Sequence, residues 1–150
     1  MDKPVQVNGY VRKSLQKDKS EVLHKRALLI DLNEKYELNE MQMKALNKLV
    51  YERFPDSFDS YIDEWAERIS SGRAYAKADS ATAKVLYNSG LKEYVIVGYR
   101  KDGSIFDNYG SFSDKIDAIN KGSALRAFSL KINDGLTYRI LDAYQYYKRK

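Results

Sequence analysis

The chain has 150 residues, 43% of them apolar, which suits one domain with a core of its own. It holds no cysteine and a single histidine, excluding disulfides, thiolate ligands, thiol nucleophiles and paired-histidine metal sites. The net charge of +5 divides into +3 over residues 1–19, −4 over residues 20–72 and +6 over residues 73–150.

A divided charge favours an oriented partner over uniform attraction to phosphate. Residues 1–19 read as a basic, flexible arm, with Pro4, Gly9 and little periodicity. Ser20 can cap a helix over 21–36, in which Leu23, Ala27 and Ile30 form an apolar line widened by Leu28, Leu29 and Leu32. The next start is better signalled. Asn39 has a capping-box partner in Gln42, and Leu38 and Met43 occupy the hydrophobic-staple positions. Met43, Leu46, Val50 and Phe54 follow at helical spacing until Pro55 stops the helix.

A third helix then begins at a cap on Asp56 or Ser57 and ends at Gly72. Along it Asp56, Asp59, Asp63 and Glu67 share one edge, with Glu64 beside them, while Phe58, Ile62, Trp65 and Ile69 share another. A fourth helix runs from a cap at Asp79 or Ser80 to Gly90. After Gly90 the period changes. "EYVIVGYR" reads as a strand, Asp102-Gly103 as a hairpin turn and "IFDNYGSF" as the returning strand. A helix follows, capped by Ser111 or Ser113, with Ile116, Ile119, Leu125 and Phe128 as its apolar positions and Gly122 as a point of kinking. "LTYRILDAYQYY" reads as a third strand. The expected fold is α+β: a helical lobe over 20–90 packed with a three-stranded β-β-α-β lobe over 91–150, in a single domain 20–150.

Motifs for chemistry are scarce. No G-x-x-x-x-G-K-[ST], G-x-G-x-x-G, G-x-S-x-G or HEXXH pattern occurs, so no cofactor and no catalytic residue is expected. His24 lies on the first helix beside Leu23 and opposite a run of apolar residues, and reads as a surface or core-margin histidine. "SLQK" at Ser14–Lys17 is too short a pattern to carry weight, and "KDGSIFDN" lacks the spacing of a calcium loop. Asp59, Asp63 and Glu67 converge at helical spacing but lack the further carboxylates a magnesium site needs, so no metal is expected.

The expectation is therefore a non-catalytic binding protein, with no membrane partner. Its composition, rich in Lys, Asp, Asn, Ser and Tyr and free of Cys, resembles that of accessory proteins of phages and mobile elements. That implies a protein partner that is itself a basic, nucleic-acid-handling enzyme: a nuclease, a polymerase or a CRISPR effector, inhibited or modulated as an anti-CRISPR-like protein would do it. The acidic helix, through Asp56, Asp59, Asp63, Glu64 and Glu67, is the surface such a partner would meet. The alternative is direct DNA or RNA binding by the basic, Tyr-rich C-terminal lobe. There Tyr99, Arg100, Lys101, Arg139, Tyr147, Lys148, Arg149 and Lys150 are the candidates, cations for phosphates and rings for bases. The opening "MDKPVQVNGYVRKS" has no apolar h-region, so the expected location is the cytoplasm of the producing or infected bacterial cell.

Overall fold

A computed structural model describes the backbone of residues 6–148 and the side chains of residues 20–148. The fold is α+β, as the residue pattern predicts. The chain forms two compact units, Met1–Glu37 and Leu38–Lys150. The described residues of the first hold one helix, α1 (Gln6–Tyr36). It begins upstream of the expected cap: Ser20 lies inside it, and so do residues 6–19 of the expected arm. The physical reason is composition, since residues 10–36 contain neither Gly nor Pro and many good helix formers. Leu23 and Ile30 of the apolar line, which would suit a buried face, are exposed.

The second unit starts with α2 (Glu40–Lys48), and its capping box is formed: Asn39 Oδ1 accepts the Gln42 N–H at 2.8 Å, and Gln42 Oε1 accepts the Asn39 N–H at 2.9 Å. A π-helical turn, Leu49–Arg53, carries the chain to Phe54, just short of Pro55. Helix α3 (Asp59–Ser70) begins later than the expected caps at Asp56 or Ser57; Phe58 takes the cap position without a side-chain hydrogen bond. Gln42 Nε2 donates to the Ile69 carbonyl at 3.1 Å and ties α2 to α3. Helix α2 packs on α3 and the turn packs on α2 and α5, with Ala45, Leu46, Leu49 and Val50 buried alongside Ile62, Trp65, Ala66 and Ile69 of α3. A short helix not foreseen from sequence, α4 (Ala74–Lys77), precedes α5 (Ser80–Asn88), which Asp79 caps through the Thr82 N–H at 2.8 Å.

Strands β1 (Tyr94–Tyr99), β2 (Ile105–Phe112) and β3 (Thr137–Asp142) form an antiparallel sheet in the order β2-β1-β3. The β1–β2 turn uses Gly103 at φ +87°, and Asp102 Oδ1 accepts the Ser104 N–H and hydroxyl. Two register shifts interrupt the β1–β2 ladder, whereas β1 and β3 pair without a break. Helix α6 (Lys115–Ile132) crosses one face, with Ile140 of β3 beneath Gly122.

Four expectations are corrected here. The cap of α6 is Asp114, through the Ile116 N–H at 2.8 Å, not Ser111 or Ser113. The helix runs unbroken through Gly122. Its Ile116, Ile119 and Phe128 are exposed, because only the edge marked by Ala118 and Ser129 reaches the sheet. Finally, the last strand stops at Asp142 and the chain coils into α7 (Ala143–Lys148). The Ala143 N–H still donates to the carbonyl of Glu93, the residue opposite it in the β1–β3 register, at 2.9 Å as the last rung of the ladder, and Asp142 Oδ1 then accepts the Gln145 N–H at 3.1 Å and caps the helix.

Gly72 ends α3 at φ +77°, and a Cβ there would stand 2.5 Å from the Ser113 backbone nitrogen and 2.8 Å from the Phe112 carbonyl carbon. Left-handed strain of about 1–2 kcal/mol adds to a clash with backbone that cannot swing away. Gly72→Ala should therefore lower the stability by more than about 2 kcal/mol, read as a fall in the urea midpoint at unchanged m-value.

Candidate functional site

The groove between α4–α5 and α7 has a volume of about 690 Å³ and is lined by Tyr75, Ala76, Ala78, Asp79, Ser80, Ala83, Lys84, Tyr144, Tyr147 and Lys148. Its position follows from one buried carboxylate. Leu91, Glu93, Val95 and Val97 share a single period-2 alternation, and all four are buried. Glu93 therefore points inward beside aliphatic neighbours. Its Oε2 accepts the Ala74 N–H at 3.2 Å and its Oε1 the Tyr75 N–H at 3.1 Å, satisfying two donors at the start of α4. Its backbone carbonyl accepts the Ala143 N–H, the first of α7. One residue thus holds both walls.

Aromatic rings build the floor. The Tyr75 hydroxyl donates to the Leu91 carbonyl at 2.8 Å, and burial, with Glu93 and Asp142 nearby, pushes its ionisation far above the ordinary tyrosine range. Tyr144 stacks on Tyr87 at 4.3 Å between centroids and 20° between planes, and meets Tyr75 at 5.7 Å. The Lys148 ammonium lies 5.6 Å from the Tyr144 ring centroid. The Tyr147 and Ser111 hydroxyls are 3.4 Å apart, which relates α7 to β2. At the rim, hydrogen bonds from the Thr82 N–H and hydroxyl, together with the Arg53 guanidinium, hold the Asp79 carboxyl below its usual range. The groove thus offers flat rings, phenol hydroxyls and the Lys84 and Lys148 side chains. This is an arrangement for stacking on a planar ring and pairing with an anion.

The nucleic-acid candidates named from sequence separate in space. Only Tyr147 and Lys148 reach the groove. The β1–β3 register places Tyr99 opposite Thr137 and Tyr94 opposite Asp142, so Tyr99, Arg100 and Lys101 lie at the far end of the sheet, roughly 17 Å along the strands. Arg100 donates to the Ile105 carbonyl at 2.8 Å and lies over the Phe106 ring. Lys101 lays its stem against Gly135, where an added Cβ would meet Lys101 Cε at 2.6 Å. Arg139 is exposed in mid-strand. Arg149 and Lys150 lie outside the described residues.

Of the acidic candidates, Glu64 and Glu67 are held by arginines of the same chain. Glu64 accepts from Arg68, and Glu67 accepts twice from the Arg73 Nη2. Asp56 and Asp59 are exposed and Asp63 is half-buried. Among the described residues, no group of three His, Asp or Glu side chains could hold a metal ion, and no helix is long and apolar enough to cross a membrane. His24 is exposed on α1. No family model, no curated protein and no solved structure matches this chain.

Tyr75, Lys84 and Glu93 were not singled out from the sequence. Glu93 left a signal there, as a carboxylate at a position where the strand alternation requires an apolar residue. Burial raises its pKa from 4.5 to about 7, against the lowering effect of the Tyr75 and Ala74 N–H groups. A carboxyl whose folded pKa lies above its unfolded value binds more protons when folded, so stability falls as pH rises from 4.5 to 7. The fall should reach up to about 3 kcal/mol in urea titrations over that window, and Glu93→Gln should flatten it. Asp79 and Asp102, both held below 3.8, act only under more acidic conditions.

Proposed function

We propose that this chain is a non-catalytic binding protein whose α4–α5/α7 groove takes unpaired bases of single-stranded nucleic acid. The observation that carries this reading is the groove itself: Tyr75, Tyr144 and Tyr147 beside Lys84 and Lys148. An unpaired base offers a flat face to a fixed ring, and such stacking contributes about 1–3 kcal/mol per base in single-strand binders. Tyr144 suits that role because Tyr87 already holds its plane. The lysines can neutralise the phosphates on either side of a seated base. The +6 charge of residues 73–150 draws the strand to this half of the chain.

A basic protein partner for the acidic helix is the weaker reading, since Arg68 and Arg73 already neutralise Glu64 and Glu67 from within.

Anisotropy of a fluorescent oligothymidylate, followed through a salt titration, tests the proposal. Binding at low salt should weaken with a steep log–log slope, and Lys84→Ala and Lys148→Ala should each reduce that slope by about 0.7. Tyr147→Ala should weaken binding about 5- to 100-fold at constant salt. Absence of binding at low ionic strength rejects the proposal.

A further inference from the structure

Helix α6 presents a second surface, unrelated to the groove. Ile116, Ile119, Ser123, Ala127 and Leu130 are all exposed, Ile116 at 65%, Ile119 at 45% and Leu130 at 76%. At 3.6 residues per turn they fall within an arc of about 80° and a length of ~21 Å, one seam on one flank of the helix. Large apolar side chains this exposed along a single line mark a contact surface. The order of the residues says what kind. Counted from Ser123, the seam occupies positions −7, −4, 0, +4 and +7, so reversing the helix about Ser123 lays the seam onto itself. Ile116 then meets Leu130, Ile119 meets Ala127, and the small Ser123 side chains face one another at the centre. That is the self-matching layout of a two-fold interface, in which the same patch serves both copies. An unrelated partner would have no reason to match it.

Charge agrees with the same register. Asp117 lies six residues before Ser123 and Lys131 eight after, both on the edge of the seam away from Arg126. The reversal brings each Asp117 alongside the other copy's Lys131, giving two ion pairs. The opposite edge carries Lys115 and Arg126 from both copies, so added salt weakens one edge and relieves the other. The seam's apolar part is smaller than the ~800 Å² per partner of a stable dimer, so the association is weak and reversible.

We infer that α6 is a self-association surface through which two copies of this chain pack as an antiparallel helix pair about a two-fold axis at Ser123. Sedimentation velocity on the full chain, up to about 300 μM, tests it, since so small a contact holds at micromolar affinity or weaker. A monomer–dimer equilibrium is expected. Leu130→Asp, at an exposed position that the fold does not need, should raise the dissociation constant at least about tenfold. Asp117→Lys alone should weaken the dimer, and Asp117→Lys combined with Lys131→Asp should restore it. A monomer at every concentration overturns the inference and leaves the seam to a different protein. A dimer indifferent to Leu130→Asp, or one that the charge exchange fails to restore, overturns it equally.

Discussion

A carboxylate buried among aliphatic side chains is the constraint on which the C-terminal unit turns. Glu93 stands at the entrance to the central strand, and its two oxygens are consumed by the first N–H groups of a four-residue helix too short to stand alone. Burying an ionised carboxylate without such donors would be strongly unfavourable, and leaving those N–H groups without an acceptor would also be costly. Each problem resolves the other. The same residue's carbonyl accepts the first N–H of α7 as the last rung between β1 and β3, which fixes where α7 starts as it coils back over α4 and α5. The aromatic floor is therefore a consequence of where one acidic residue falls in an otherwise apolar alternation.

Much of this architecture is written in local pattern. The Asn39–Gln42 box, the Asp79 cap, the Asp102-Gly103 turn and the left-handed Gly72 are each decided within four or five residues, and each forms as the spacing predicts. What the pattern could not supply depends on distant partners. The period of "LTYRILDAYQYY" fits a strand throughout, yet the ladder ends with the Ala143–Glu93 rung and the Asp142 side chain caps a helix over its second half. That change rearranges the tyrosines: as a strand Tyr144 and Tyr147 would face opposite ways, whereas one turn of helix brings both to the same groove. Lys148 follows four residues after Tyr144 for the same reason.

The two polar clusters read from sequence fare differently for one physical cause, competition from neighbours. Along α3, Arg68 lies four residues beyond Glu64, and Arg73, past the turn at Gly72, reaches back to Glu67. In the hairpin, Arg100 turns onto the Ile105 carbonyl and the Phe106 ring. Charges that looked available as a linear string are spent locally once the chain folds. Apolar residues show the converse. Ile116, Ile119 and Phe128 looked like core positions because hydrophobicity was counted without knowing how little of α6 the narrow sheet can cover. Three strands shelter only one edge of an eighteen-residue helix.

The irregular pairing of β2 bears on the protein's colloidal behaviour. As an outer strand it would expose a row of amide donors and acceptors, the template on which stray chains add and fibrils grow. Two register shifts within eight residues, with Gly110 at φ +103° among them, break that row into pieces too short to guide an incoming strand. On the other border, β3 gives way to α7 after six residues. A sheet finished in this way resists endless growth from either side.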